Sequence, residues 1–541
     1  MAIRIFITQF ANIVGLLFIL LICAITLLAF YGLIAFEPAG AVPTDSNAWY
    51  DRIYAIVQSP LLKDDYFHSI LLFSIKQALL SALISTVLAW PIARAIYYLP
   101  KVYFKNTFLS LSLLCFVLPT LVLITGFVSL LGLSGILTPY LGDHWSLYGL
   151  QGILIAHVYM NLPFAVRAMY NQLQSIPDSS WQLSSQLKFS TWQKFSLIEW
   201  PAMRSNLSLI FGFITILCFN SFAVVLAFGG GPQSTTLEVA IYQALKYDFN
   251  ISEALTLAWS QFAIAGVFFI VLYRSSSVTW LSKNVAEKSW APRPNTANRL
   301  LFYGIYIIAF AFLLLPLFSL IPGIFAAKYT ISLLTNIGQA LTLTLALGLL
   351  SACVAMIISY AIMLPIRHCV LANNTRAASL LQWFANHTLI APAMVLSVGL
   401  YILFLALIDL DKWGMIFVVL LNVLLILPFA IQQIRPRLMQ YDSDYGMLYP
   451  SLKLSYTERF VIEWPYIKPV FLSTFSLTLL IAMGDVAIFS IFGSAQLQTL
   501  PWLIYQYAGS YRINEASFAS AILLLLYLAI LLPIEKTNKK A

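Results

Sequence analysis

The sequence is poor in charge. Only 9% of its 541 residues are Asp, Glu, Lys or Arg, whereas 61% are hydrophobic. Soluble domains average about 25% charged residues, so this composition excludes a soluble protein. Apolar runs of roughly 20 residues recur along the chain, which is the length an α-helix needs to cross a bilayer, and they lack the alternation of membrane β-strands. The sequence therefore predicts an all-α, polytopic membrane helical bundle.

The chain also lacks the residue sets that catalysis or nucleotide binding requires. Its five cysteines form no C-x-x-C pair and predict neither a disulfide framework nor a metal site. No Gly-Lys pair occurs, so the glycine-rich stretch GGGPQSTT from Gly229 is not a phosphate-binding loop. We instead expect this stretch to turn the chain back into a short outer helix. The sequence predicts a non-enzymatic protein without a cofactor, and any pumping activity would need an ATPase subunit from elsewhere.

The hydrophobic runs divide into about 12 predicted transmembrane helices. Basic residues are retained in the cytoplasm, and their distribution places both termini on the cytoplasmic side of the membrane. The same residues face anionic lipid headgroups, so the net charge of +9 requires no nucleic-acid partner. The predicted spans lie near residues 10–35, 69–97, 107–132, 149–170, 205–228, 253–274, 300–322, 337–365, 379–407, 413–433, 469–491 and 516–534.

An internal repeat divides the chain into two halves. NLPFAVRAMYNQL from Asn161 matches ILPFAIQQIRPRL from Ile426, and similar pairs continue towards the C-terminus. Because each half carries six predicted spans, the copies have the same orientation in the membrane, which predicts two parallel six-helix repeats. We place the first repeat at residues 1–285, a cytoplasmic linker up to about 299, and the second repeat at 300–541. A pathway between the halves is the natural consequence.

Each repeat carries one long cytoplasmic loop with a similar sequence. The loops contain LKFSTWQKFSLIEWP, ending at Pro201, and LKLSYTERFVIEWP, ending at Pro465. Spacing near 3.6 residues predicts short surface helices with an apolar face and a helix stop at Pro201. The residues of that face in the first loop are Trp181, Leu183, Leu187, Trp192 and Phe195. The face would dock a symmetric partner, or it would pack on the bilayer surface or on the floor of the bundle.

These loops resemble the coupling loop of permease subunits of ATP-binding-cassette importers, whose consensus is Glu-Ala-Ala, three residues, then Gly. In this alignment Lys188 and Lys453 replace the glycine, which leaves the geometry of the turn open. The resemblance implies that the loops contact the ATPase. The residues it assigns to coupling are Gln182, Leu183, Ser184, Lys188, Glu199 and Pro201 in the first loop, and Met447, Leu448, Tyr449, Lys453, Glu463 and Pro465 in the second.

The resemblance extends over most of the chain and is closest to the fused permeases of bacterial thiamine importers. It implies two copies of an ATP-binding subunit, a periplasmic substrate-binding protein and thiamine or its phosphates as the small-molecule substrate. Fused ferric-iron permeases are related, so an iron or other small-solute importer is the alternative. A stand-alone secondary transporter is a further alternative, but it should carry several buried ionisable groups.

Polar residues inside the spans are candidates for the translocation pathway. Asp485 is the acidic residue placed well inside a span, and its counterpart in the first repeat is Ser221, beside Asn220. A carboxylate in the membrane should face the bundle interior or a wet cavity, where it could attract a cationic substrate, but it could equally be held by neighbouring backbone amides. We add Asn161, and Tyr242 and Tyr505 on the short outer helices, as further candidates. His157 is better explained as a hydrogen-bonding residue between helices than as a ligand.

Overall fold

The computed structural model describes residues 2–35, 60–99, 102–142, 144–229, 231, 234–275, 294–389, 391–445, 452, 456–494 and 496–538. Within these ranges the chain is helical and forms no strand, which confirms the all-α membrane bundle. The helices are α1 (Ala2–Ala35), α2 (Asp65–Tyr98), α3 (Lys105–Val117), α4 (Thr120–Leu131), α5 (Leu150–Gln174), α6 (Asp178–Gln186), α7 (Thr191–Lys194), α8 (Trp200–Phe219), α9 (Ala223–Phe228), α10 (Leu237–Lys246), α11 (Ile251–Ser275), α12 (Thr296–Phe318), α13 (Leu320–Ala326), α14 (Ile331–Leu371), α15 (Thr375–Asn386), α16 (Ala393–Leu405), α17 (Leu410–Tyr445), α18 (Tyr456–Met483), α19 (Ala487–Phe492), α20 (Leu500–Gly509) and α21 (Ile513–Asn538).

In the described part of the chain, 9 helices are long and apolar enough to cross a membrane, and the number reaches 11 if two bent pairs each count as one span. One bent pair is α3 and α4, which meet at 106°; the other turns by 51° between Thr191–Arg204 and Leu207–Phe219. The predicted span at 379–407 is divided between α15 and the shorter apolar helix α16. The total of 12 spans therefore stays a prediction.

The first helix of each repeat packs against the other repeat. Helix α1 lies along α14 and α16, whereas α12 lies along α2 and α4. Glycine permits the closest approaches: a Cβ on Gly399 would lie 2.1 Å from the carbonyl oxygen of Ala29, and a Cβ on Gly126 would lie 2.3 Å from that of Pro316. Gly126 lies in α4 and Gly399 in α16, each the same number of residues after the proline that precedes its helix. The two contacts between the halves, which we call seams, therefore correspond. The first helix of each half of the chain therefore packs mainly against the other half.

The fifth and eleventh predicted spans of the chain, one in each repeat, are both broken. Helix α8 ends before Asn220 and the chain resumes as α9, while α18 ends before Gly484 and resumes as α19. After each break comes a short helix, α10 or α20, close to the short outer helices that the sequence predicts at Thr236–Leu245 and Thr499–Tyr507. The first residue of each short helix donates its backbone N–H to a hydroxyl of a long helix: Leu237 to Ser74 at 3.0 Å and Leu500 to Thr344 at 2.8 Å.

The bundle therefore has two ends that matter for function. We call the end bearing α6, α7 and the start of α18 the loop face, and the end bearing α10 and α20 the mouth face. Helix α2 connects them, because its first turn lies near Asp248 and Glu253 whereas its last turn contacts Glu199.

Candidate functional site: two loops and their buried anchors

The first loop presents an apolar surface on the loop face. Leu183, Leu187 and Trp192 are 55%, 57% and 72% exposed, whereas Trp181 is completely buried. The Trp181 ring lies against the rings of Tyr97 and Tyr98 at the end of α2, with centroids 5.9 and 6.1 Å away. The predicted apolar face is therefore split. Trp181 fixes α6 to the bundle, and the exposed residues are available to a partner.

The other predicted coupling residues of this loop divide in the same way. Gln182 and Lys188 are exposed, whereas Ser184 is buried and its hydroxyl donates to the Trp181 carbonyl oxygen at 2.8 Å. In the second loop, Met447, Leu448, Tyr449 and Lys453 lie outside the described residues.

Lys188 ends α6 in the left-handed conformation, with φ of 51°. Its N–H donates to the Ser185 carbonyl oxygen at 3.2 Å, and the N–H of Phe189 donates to the Ser184 carbonyl oxygen at 3.0 Å. These two bonds form a Schellman motif, in which the residue at Lys188 is usually glycine. The lysine thus keeps the turn that a glycine would make, at a conformational cost of about 1–2 kcal/mol.

The predicted helix stop at Pro201 is wrong. Residues Phe195–Glu199 form one π-helical turn that continues directly into α8, and Pro201 lies in the first turn of that helix. Proline removes one backbone donor and bends a helix without having to end it, and here the π-helical turn lies directly before it. Pro465 lies inside α18. Each Glu-Trp-Pro motif is therefore part of a continuous path from the loop into a long helix.

Glu199 is fully buried and anchors the end of the first loop to α2. Its Oε2 lies 2.6 Å from Nε of Arg94, and its Oε1 accepts hydrogen bonds from Arg94 Nη2 at 3.2 Å and from the Tyr98 hydroxyl at 2.5 Å. Four aromatic rings surround the Arg94 guanidinium with centroids 5.4–5.8 Å away. They belong to Trp90, Tyr98, Phe195 and Phe302. We call Arg94, Tyr98 and Glu199 the first anchor.

Glu463 occupies the same position in the second repeat and is also buried. Both its oxygens accept from Arg367 on α14, each at 2.8 Å. Arg367 also donates to both carboxylate oxygens of Asp442, each at 2.6 Å, and Arg459 lies 3.3 Å from Asp442. The Tyr360 hydroxyl donates to Glu463 at 3.3 Å. We call Arg367, Arg459, Asp442 and Glu463 the second anchor.

The anchors hold the two motif glutamates inside the bundle. Their side chains are 0% and 1% exposed, so in this structure they bind the bundle rather than face outwards. Sequence reasoning found both glutamates from the repeat. It missed their arginines because the matching segments begin at Asn161 and do not reach Arg94 on α2, so nothing in the repeat paired Arg94 with Arg367.

The polar candidates of the first repeat meet at the break between α8 and α9. His157 on α5 bonds through Nε2 to the Ser221 hydroxyl at 2.9 Å and through Nδ1 to the Ser81 hydroxyl at 3.1 Å. The Asn161 amide donates to the His157 carbonyl oxygen at 2.9 Å. These bonds confirm the interpretation of His157 as a hydrogen-bonding residue between helices. They also fix the broken span against α2 and α5.

Asp485 lies at the equivalent break of the second repeat. Its carboxylate accepts from the backbone N–H groups of Ile488 at 3.4 Å and Phe489 at 3.2 Å, so it caps the first turn of α19. Of the two predicted roles, the cap is present in the structure. The side chain is nevertheless only partly buried, which leaves room for a second contact.

The mouth face contains a buried carboxyl group that sequence reasoning missed. Glu238 on α10 is 1% exposed and accepts from the Gln261 amide at 2.5 Å, and the same amide lies 3.4 Å from Asn220 Oδ1. Burial raises the pKa of Glu238 to about 8, and the bond from Gln261 opposes the shift. The buried position could not be read from the sequence, because α10 is a short connecting helix and not a span.

The two predicted tyrosines of the mouth approach each other across the halves. Burial raises the pKa of Tyr242, and Tyr247 and then Tyr505 add to the effect. The pKa of Tyr505 rises to about 12 through burial and the nearby Tyr247. Tyr242 is buried and its ring also packs edge-on against Phe222, 5.3 Å between centroids.

Comparison with known proteins finds similarity to membrane components of transport systems. Residues 85–287 match the family model for the binding-protein-dependent transport system inner membrane component. The chain is 34% identical to the thiamine transport system permease protein ThiP of Haemophilus influenzae over 86% of this chain and 87% of that protein. It is 31% identical to ThiP of Escherichia coli over 88% and 90%. The ferric transport system permease protein FbpB of Actinobacillus pleuropneumoniae is 27% identical over 46% of this chain and 36% of its own length.

Proposed function

The chain belongs to the family of inner-membrane permeases that includes the thiamine transport system permease proteins, and on this basis we propose that it is the permease subunit of an ATP-driven thiamine importer. In this proposal a periplasmic binding protein delivers thiamine or a thiamine phosphate to the mouth face. Two copies of an ATP-binding subunit dock on the loop face. Both termini are cytoplasmic, and this chain hydrolyses nothing itself.

The observation that carries the proposal is the exposed apolar surface of the first loop, fixed from below by Trp181. Leu183, Leu187 and Trp192 expose large side chains beside polar residues, which is typical of a surface that a protein partner covers. The similarity of the second loop, from Leu452 to Pro465, supports a matching surface for a second copy of that partner.

The anchors supply a mechanical connection for such a partner. When ATP closes the two ATPase subunits, the loops move, and a buried ion pair moves α2 or α14 together with the helix that follows the loop. A buried ion pair transmits displacement well because separating its charges leaves them uncompensated at a cost of about 3–5 kcal/mol. We therefore assign Glu199 and Glu463 to coupling as internal links and the exposed residues to docking.

The translocation pathway would run between the repeats past the two helix breaks. Broken helices at corresponding positions of two repeats are a common way to build a substrate site in membrane transporters. Asn220 and Ser221 at one break and Asp485 at the other provide polar groups there, and a carboxylate suits a cationic substrate. Tyr242, Tyr505 and Asn161 complete the proposed lining.

Two alternatives make different predictions. A ferric-iron importer would use the same architecture, and the partial similarity to FbpB keeps it open. A stand-alone secondary transporter would move its substrate without an ATPase, and the exposed first loop would then have no partner.

One experiment separates these alternatives. The affinity-purified chain should bring down an ATPase subunit from a native membrane extract, and the ATPase rate of that complex in proteoliposomes should rise with thiamine-loaded binding protein. Stimulation only by an iron-loaded binding protein would replace thiamine with iron. A chain that arrives alone and transports thiamine without ATP would contradict the permease proposal itself.

A further inference from the structure

Two aromatic residues at the mouth face have an unusual backbone conformation. Phe249 follows α10 and Tyr511 follows α20, with left-handed φ angles of 51° and 59°. They are equivalent in the repeat, because FNISE from Phe249 matches YRINE from Tyr511. Their side chains are 79% and 88% exposed. We call this pair the mouth aromatics.

Folding does not account for an aromatic side chain at either position. At Tyr511 two backbone hydrogen bonds close the turn. The N–H of Arg512 donates to the Tyr507 carbonyl oxygen at 2.8 Å, and the N–H of Tyr511 donates to the Ala508 carbonyl oxygen at 3.2 Å. This is the position after a helix where glycine is preferred, since a bulky residue pays a conformational cost there. The highly exposed rings recover little of that cost by burial, which favours a role in contact with a partner.

The positions of the two turns favour a protein partner over lipid. Helix α10 packs against α16 and α19 of the second repeat, and α20 packs against α4 of the first. Tyr148 of the first repeat lies near Tyr511, since burial and then Tyr511 raise the pKa of Tyr148. The mouth aromatics thus belong to helices at the junction of the two halves, whereas the aromatic belt of a membrane protein lies around its lipid-facing rim.

The two turns match in shape but differ in charge. Phe249 follows Asp248. The carboxyl groups of Asp248 and Asp64 lie close enough to Glu253 for their charges to interact, so this turn is acidic. Tyr511 precedes Arg512, which lies 4.6 Å from the Tyr507 ring centroid and 3.4 Å from Glu515. A partner that contacts both turns would therefore meet an acidic patch at one and an arginine at the other.

We propose that the mouth aromatics are two contact points of the periplasmic binding protein, one in each half of the chain. Exposed aromatic side chains that insert into pockets commonly dominate protein interfaces. The charge difference would set a single orientation of the bound protein, with a basic surface over Phe249 and an acidic one over Arg512. This inference rests on the proposed function, because it needs a binding protein at the mouth face.

The test uses the reconstituted complex with the double variant Phe249→Gly, Tyr511→Gly. Glycine keeps both turns and relieves their strain, so the chain should fold at least as well as before. The concentration of thiamine-loaded binding protein that gives half-maximal ATPase stimulation should rise about tenfold or more, which corresponds to about 1.4 kcal/mol. The maximal rate at saturating binding protein should be retained.

Phe104→Gly is the matched control. Phe104 also has a left-handed φ, of 59°, and is 72% exposed, but it lies near the other end of α2, on the loop-face side. It should leave the half-maximal concentration unchanged. An unchanged value in the double variant would overturn the inference, and so would a defect that appears only on changing the lipid headgroups, which would assign the rings to the membrane surface. A wild-type complex that no binding protein stimulates would instead overturn the proposed function.

Discussion

The two anchors both pair a buried glutamate with arginine, but they differ in the groups that surround the pair. Both bury a glutamate from the Glu-Trp-Pro motif against an arginine of the long helix, α2 or α14. The first anchor uses one ion pair enclosed by aromatic rings, whereas the second combines two arginines with two carboxylates. Each group is neutral overall if all its members are charged. What the repeats share is therefore a buried, neutral link between loop and helix, and the means of neutralising it differ.

The largest effect should follow removal of the central arginine. Arg367→Met removes the cation that pairs with two buried carboxylates and should destabilise the protein by about 5 kcal/mol. Arg94→Met leaves one buried carboxylate without its cation and should destabilise the protein by about 3 kcal/mol. The midpoints of thermal unfolding of the purified variants in detergent measure the difference.

Arg512→Met is the control for this pair, since Arg512 makes an exposed pair with Glu515 that should contribute less than about 1 kcal/mol. Equal losses at Arg94 and Arg367 would show that the second carboxylate does not matter.

The first helices of the two halves offer a comparison in which the repeats should behave alike. Gly399→Val and Gly126→Val each drive a side chain into a carbonyl oxygen of the packed helix, Ala29 in one case and Pro316 in the other. Overpacking of this kind should cost about 1–3 kcal/mol at both seams. Gly266→Val, where no atom lies within 4 Å, is the matched control. Thermal unfolding again provides the measurement, and a loss at only one seam would argue against equivalent packing at the two seams.

A pH-dependent difference should separate the two short outer helices. Glu238 has a folded pKa of about 8 against a reference value of 4.5, so the folded chain holds a proton that the unfolded chain releases between these values. Stability should therefore fall as pH rises through this window, by at most about 1.4 kcal/mol per pH unit.

Glu238→Gln should remove that dependence. The equivalent residue of α20 is Pro501, which cannot titrate. Unfolding midpoints compared at pH 6 and pH 8 would test this, and a slope that survives in Glu238→Gln would assign the proton to another group.

The smallest effect concerns the left-handed lysine. Lys188→Gly should stabilise α6 by about 1 kcal/mol, because glycine adopts the same turn without steric cost. If the ammonium group also pairs with an acidic rim on the ATPase, reversing the charge at Lys188 and Lys453 together should uncouple ATP hydrolysis from transport. Unchanged uptake per ATP in that double variant would remove this role.

Local patterns in the sequence were enough to predict the membrane bundle and the short helices α10 and α20, whereas the division into two repeats stays a prediction. Hydrophobic run length and the Glu-Trp-Pro motif are both read within a few neighbouring residues. The anchors could not be predicted, because Arg94 and Glu199 are 105 residues apart and Arg367 and Glu463 are 96 apart, with no shared register to align them. The packing of each first helix against the other half could not be predicted either, because its contacts also join residues far apart in the sequence. The stop expected at Pro201 was wrong because a π-helical turn directly before the proline lets the helical path continue through it.

The most direct test of the account counts thiamine molecules taken up per ATP hydrolysed in proteoliposomes that contain the whole complex. The double variant Glu199→Gln, Glu463→Gln keeps the docking surface but removes one carboxylate, and with it an ion pair to arginine, from each anchor. Trp192→Ala, which damages docking, should lower ATPase stimulation and uptake together. The anchor variant should keep stimulated ATPase activity while uptake per ATP falls about tenfold, equivalent to about 1.4 kcal/mol of lost coupling. A wild-type ratio in the anchor variant would contradict the claim that the buried glutamates transmit the movement of the loops.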